Sequence, residues 1–208
     1  MDKLEKFTET LKKFVPNGFE NYLAKLILNG QVKFKIVNGR KSKLGDFRIG
    51  ITYEKPIITV NGDLNPFAFL ITSIHELAHL HTFLKYGNQI APHGSEWKNE
   101  FRALLLPIID SKLLPNDIHK ALLKSLVNTK ASSCSDIQLS RTLRNYDINT
   151  SESAIFLEDL EEGERFEVGA KIFVKGKLRR SRYLCLEYKT NKPYLIHRLA
   201  TIKRINYE

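Results

Sequence analysis

The chain has 208 residues, 42% of them hydrophobic and 27% charged, and a formal charge of +10. That length suits one full domain with a smaller companion, and the composition is globular. No apolar run reaches the ~18 residues of a membrane span, the start at Met1–Lys6 lacks the apolar core of a signal peptide, and two cysteines, Cys134 and Cys185, exclude a disulfide framework. The expectation is a cytoplasmic protein with no membrane partner, whose positive charge favours an acidic partner, nucleic acid first.

Leu4, Phe7, Leu11 and Phe14 recur at helical spacing, so residues 2–14 read as an amphipathic helix that Pro16-Asn17-Gly18 breaks. Phe19–Leu28 reads as a second helix, stopped by Asn29-Gly30. Val32, Phe34 and Ile36 then alternate with polar residues as in a half-buried strand, and two further strands are expected at Phe47–Thr52 and Ile57–Val60. Ile57–Val60 is the expected edge strand. The segment Gly39–Asp46 between the first two strands is basic: a solvated hairpin loop or a nucleic-acid contact.

Asn65 and Pro66 form a helix start, and the run Phe67–Leu80 is interrupted by little except His75, Glu76 and His79. A helix apolar on nearly all sides is a buried one, and two imidazoles with a carboxylate are costly there without a partner. The pattern is H-E-x-x-H. Residues four apart on a helix share a face, so His75 and His79 can hold one metal ion while Glu76, turned aside, works on a water. Gly87 is the expected C-cap. His93, just before a helix over Ser95–Leu106, is the favoured third ligand, with Glu96 and Glu100 as alternatives; His81 faces away. A further helix is expected at Asn116–Asn128.

Residues 129–164 read as a linker: Thr129–Ser135 is small and polar, Ile137–Tyr146 is a short helix, and Glu158–Glu164 is an acidic solvated turn. Residues 165–208 read as a small antiparallel β-domain with strands near Arg165–Val168, Lys171–Val174, Tyr183–Tyr188, Tyr194–Ile196 and Ala200–Ile205. This tail holds 12 Lys and Arg against 3 Glu, hence +9 of the chain's +10. Arg179, Arg180, Arg182, Lys203 and Arg204 are its candidate nucleic-acid-binding residues, while the aromatics among them are expected to form the core.

The H-E-L-A-H of residues 75–79, followed by the H-G-x-x-W of residues 93–97, resembles the SprT-like zinc metalloproteases, the family of the Spartan proteases. The resemblance covers about residues 1–128. It implies an α+β, zincin-like fold, one Zn²⁺ on His75, His79 and His93, and Glu76 as catalytic base. It also implies a protein substrate, and in the Spartan members that substrate is crosslinked to DNA. The basic loop resembles the segment preceding a sheet strand in that family. Many members carry a C-terminal zinc ribbon, but this tail has Cys185 alone and no C-x-x-C, so a second, structural zinc is not expected. The reading is a zinc-dependent endopeptidase of three parts: residues 1–128, 129–164 and 165–208. The alternative is a nucleic-acid-binding or adaptor protein whose zinc site is structural or vestigial.

Overall fold

The computed structural model describes residues 2–40, 43–50, 54–127, 136–147 and 155–205. The chain divides into two compact units, residues 1–147 and 148–208. The boundary therefore falls inside the segment expected to be a linker. The stretch Thr129–Ser135, the end of the expected strand at Ile51 and Thr52, and Cys134 lie outside the described residues.

The first unit is mixed α and β. Helix α1 (Lys3–Leu11) opens with a capping box, in which the Asp2 N–H donates to Glu5 at 2.9 Å. Helix α2 (Glu20–Asn29) packs on α1. Three strands follow: β1 (Lys33–Val37), β2 (Gly45–Arg48) and β3 (Ile57–Asn61), in the order β1-β3-β2. Strand β3 pairs in parallel with β1 and antiparallel with β2, so it is central and the expected edge is corrected. The physical reason lies in the side chains. Ile58 and Val60 are fully buried, as suits a strand flanked on both sides, whereas β1 alternates exposed Lys33 and Lys35 with half-buried residues, as suits an edge.

Helix α3 (Pro66–Tyr86) is the axis of this unit. The Asn65 side chain accepts from the Ala68 N–H at 2.9 Å, Pro66 occupies the first turn, and Gly87 closes the helix at φ 76. From Phe69 to Ala78 every residue is buried. Helix α4 (Ser95–Asp110) runs beyond the expected stop at Leu106, through Pro107. A mid-helix proline costs about 3 kcal/mol, and buried Ile108 and Ile109 on the last turn offset it by filling the core. Helix α5 (Asn116–Val127) follows as expected.

Helix α6 (Ile137–Arg144) belongs to this unit. Leu139 is fully buried in its core, and Asn65 Nδ2 donates to Leu143 O at 2.8 Å, tying α6 to the start of the metal-motif helix.

The second unit is an antiparallel sheet ordered β4-β10-β5-β6-β8-β7, with β9 on β8. Its strands are β4 (Ile155–Phe156), β5 (Arg165–Val168), β6 (Lys171–Val174), β7 (Leu178–Arg179), β8 (Arg182–Glu187), β9 (Pro193–His197) and β10 (Thr201–Arg204). β4 and β7 have two residues each, too short to leave an alternating pattern in sequence. The acidic stretch is an exposed turn only over residues 161–163. Its first half is tied to the core: Leu160 and the preceding Leu157 are buried, and the buried Lys175 ammonium donates to the carbonyls of Glu158, at 3.2 Å, and Leu160. Glu158 in turn accepts from Arg198 at 2.5 Å. Phe166 and Phe173 stack in the core with centroids 5.8 Å apart.

Candidate metal centre

His75 and His79 lie one turn apart on α3, and His93 is brought to them by the turn before α4. Their Nε2 atoms form a nearly equilateral triangle: 3.2 Å between His75 and His79, 3.1 Å between His79 and His93, and 3.2 Å between His93 and His75. Zinc–nitrogen bonds of about 2.0–2.1 Å at tetrahedral angles set ligand nitrogens about 3.3–3.4 Å apart. The triangle thus fits a single ion seated just above its plane. Among the described residues these three are the only cluster of potential ligands of this kind. The sequence alternatives lie elsewhere: Glu100 pairs with Lys85 at 2.9 Å and Glu96 accepts from Ser95 at 3.0 Å. His81 is half-buried, 3.9 Å from Glu100.

Electrostatics keep the imidazoles neutral, as ligation requires. Burial, then the neighbouring His79 and His93, push His75 down to about 2; burial and His93 push His79 down to about 4. Burial and the Lys98 ammonium also lower His93. Glu76 moves the other way, to about 7, through burial and the Asp46 carboxylate, against the opposing pull of Lys43, Arg40 and the Phe47 N–H.

Backbone strain marks the third histidine. The Gly94 N–H donates to Ala91 O at 2.9 Å, closing a turn with Pro92 second and His93 third. His93 has φ 60, in the left-handed region that glycine or asparagine fills more easily. A histidine held there is a local cost retained for its side chain.

Two features of the centre carried no assigned role in the sequence reading. Trp97, 1% exposed, lies beneath all three imidazoles with ring centroids 4.7, 5.2 and 4.6 Å from His75, His79 and His93. Phe101 stacks below it at 4.9 Å. The tryptophan's spacing after His93 was visible, but not its place as a floor. Strand β2 forms the other wall. The Phe47 ring lies parallel to His79, and the Phe47 N–H donates to Glu76. A Cβ on Gly45 would stand 2.7 Å from Glu76 Oε1 and 2.8 Å from the Thr72 methyl, so only glycine lets the strand come this close. No sequence signal marks Gly45, because its constraint comes from another element.

The five basic candidates of the tail separate into two groups. Arg204 pairs with Glu164 at 2.9 Å and Lys203 stands 3.9 Å from Glu167. Arg179 and Arg182 face each other across the β7–β8 hairpin, with Arg180 at its tip at φ 58. All three are exposed, and among the described residues the one polar contact of their guanidinium groups is Arg182 Nη1 to Leu195 O at 3.4 Å.

Comparison of the chain with protein-family models, with curated proteins and with solved structures finds no match in any of the three. No helix among the described residues is long and apolar enough to cross a membrane.

Proposed function

We propose that this protein is a zinc-dependent endopeptidase with a zincin-like, SprT-like first unit. One observation carries the reading: a triangle of three imidazole nitrogens 3.1–3.2 Å apart with a buried carboxylate on the adjacent helix position, Glu76. Structural zinc sites close with four protein ligands, whereas catalytic ones keep three and leave a position open. Zinc, when bound, supplies Lewis acidity, polarising a carbonyl and bringing the pKa of water toward neutrality.

The chain's own residues supply the rest. His75, His79 and His93 hold the ion, Trp97 and Phe101 exclude water from beneath, and Glu76 is placed to accept a proton and return it to a leaving amine. Strand β2 is the edge beside the site. The Asn61 N–H donates to Leu44 O at 2.9 Å, so by antiparallel alternation the outward-facing main-chain groups of β2 belong to Gly45 and Phe47. The Phe47 N–H is taken by Glu76, so an extended peptide adding to that edge pairs with the Gly45 groups and the Phe47 carbonyl and lies against Glu76, which is how a protein substrate is presented in this reading.

The test is cleavage of fluorescein-labelled casein by the purified chain, abolished by chelation and restored by Zn²⁺. Cleavage that survives complete metal removal, or none with zinc loaded, overturns the reading.

The same reading gives the β7–β8 hairpin a recruiting role toward DNA-bound or DNA-crosslinked protein. Like charges opposite each other on paired strands are destabilising, as is a non-glycine residue at positive φ. Arg179 and Arg182 carry the first cost and Arg180 the second at one exposed tip, and a polyanion would relieve the charge repulsion. A gel shift at low and high salt tests this arm.

A further inference from the structure

Asn61 ends β3, in an Asn61-Gly62-Asp63 run that leads toward α3. It is 1% exposed, yet its main-chain N–H and both polar atoms of its side chain are engaged. The N–H donates to Leu44 O at 2.9 Å. Its Nδ2 donates to Arg40 O at 3.1 Å and to Lys43 O at 3.0 Å, and its Oδ1 accepts from Arg40 Nε at 2.9 Å. One buried asparagine therefore gathers three carbonyls and a guanidinium from the segment between β1 and β2. Leu44 leads directly into Gly45 and then Phe47, the two residues of β2 that meet Glu76. A loop of this composition, basic and bounded by glycines, has no apolar side chain to anchor it except Leu44, which is exposed. Its described residues Arg40, Lys43 and Leu44 are held by the Asn61 hydrogen bonds, with the Lys43–Asp46 ion pair at 2.7 Å beside them.

We infer that Asn61 is a positioning residue for Glu76: by clamping Arg40, Lys43 and Leu44 it fixes how closely β2 approaches α3, and so holds the Phe47 N–H on the Glu76 carboxylate. The inference rests on the peptidase reading for its catalytic consequence, but not for its geometric one. Asn61 makes no contact with the histidines or with Glu76, so its loss leaves the imidazole triangle standing and frees the base to change rotamer. Misplacement of a reacting group by about 1 Å costs on the order of 100-fold in rate.

The experiment uses the full chain with zinc loaded, with Asn61→Ala and the size-conserving Asn61→Asp. Asn61→Asp keeps an acceptor for Arg40 but removes both donors to the loop carbonyls. In both variants, amide hydrogen exchange at Phe47 should accelerate at least tenfold, while exchange within α3 and the visible spectrum of the Co²⁺-substituted protein stay unchanged. On labelled casein, well below each variant's unfolding temperature, kcat should fall at least tenfold. Unchanged Phe47 exchange in both variants overturns the inference whatever the activity does. Faster Phe47 exchange with kcat intact overturns the positioning role, as does a loss of activity that merely follows a loss of zinc. Absence of cleavage by zinc-loaded wild type removes the peptidase reading itself, a result distinct from these because the wild-type exchange pattern is then unaffected.

Discussion

Both units bury charged or titratable groups, but they treat them differently. In the second unit the buried Lys175 ammonium is received by two carbonyls and sits 4.1 Å over the Tyr183 ring, and Glu158 is matched by Arg198 at 2.5 Å. In the first unit three imidazole nitrogens converge on one another, and Glu76 makes no ion pair among the described residues. Burying polar groups is costly unless they are paired. A chain that closes its own network is building structure. One that turns several ligand-type atoms toward a common point, with a strained His93 among them, has the arrangement that can hold a metal ion. The contrast separates a scaffold from a site without reference to any relative.

The sharpest way to break that contrast is at Glu76. Glu76→Gln preserves shape and the Phe47 hydrogen bond, so zinc content and melting should be unchanged, while turnover of labelled casein should fall by about 10²–10⁴-fold, the usual worth of a general base. Retained turnover would remove Glu76 from the chemistry and leave the first unit with a binding site only.

The next effect in size is at His93, where backbone and side chain pull in opposite directions. His93→Asn removes a ligand but suits φ 60. Zinc affinity should drop by more than 100-fold, since first-sphere loss exceeds the 10–100-fold typical of outer partners, while the metal-free protein should be as stable as wild type or up to about 1 kcal/mol more stable. Titration with a chromophoric chelator and denaturant unfolding of both apo forms measure the two halves. A destabilised apo variant would mean that the turn is not strained by its histidine.

In the second unit the expected loss is of stability alone. Lys175→Met fills the same space but leaves the Glu158 and Leu160 carbonyls without their donor, at a cost of about 1–3 kcal/mol for a buried unsatisfied group. The unfolding of this unit should shift accordingly, with zinc content and casein turnover intact. If zinc is lost as well, the two units are not energetically separate.

The smallest structural effect belongs to the hairpin. Replacing Arg179, Arg180 and Arg182 with Gln should leave zinc unchanged and folding as stable or slightly more so, since the facing like charges are removed. It should flatten the slope of log affinity for a DNA duplex against log salt by roughly 2–3, about 0.9 for each phosphate no longer neutralised. A parallel change from Lys203→Gln or Arg204→Gln is not expected, because each already has a carboxylate. No binding at low salt would end the nucleic-acid reading of this hairpin.

Local chemistry made much of this legible in the sequence. The α3 start at Asn65-Pro66, its stop at Gly87 and the one-face placement of His75 and His79 follow from capping and helical period, which depend on neighbours a few residues away. The five longer strands of the second unit were legible for the same reason, through alternation and turn residues. The tertiary structure alone decided the rest. That β3 is central, that Leu157 and Leu160 draw an acidic stretch into a core, and that α4 continues through Pro107 are outcomes of packing between distant segments, where burial outweighs the local signal. So too at the site: the sequence named His93 as the favoured ligand, but the closeness of Gly45 to Glu76, the Trp97 floor and the Asn61 clamp each join elements that sequence spacing cannot relate, because hydrogen bonds and van der Waals contacts act across space and not along the chain.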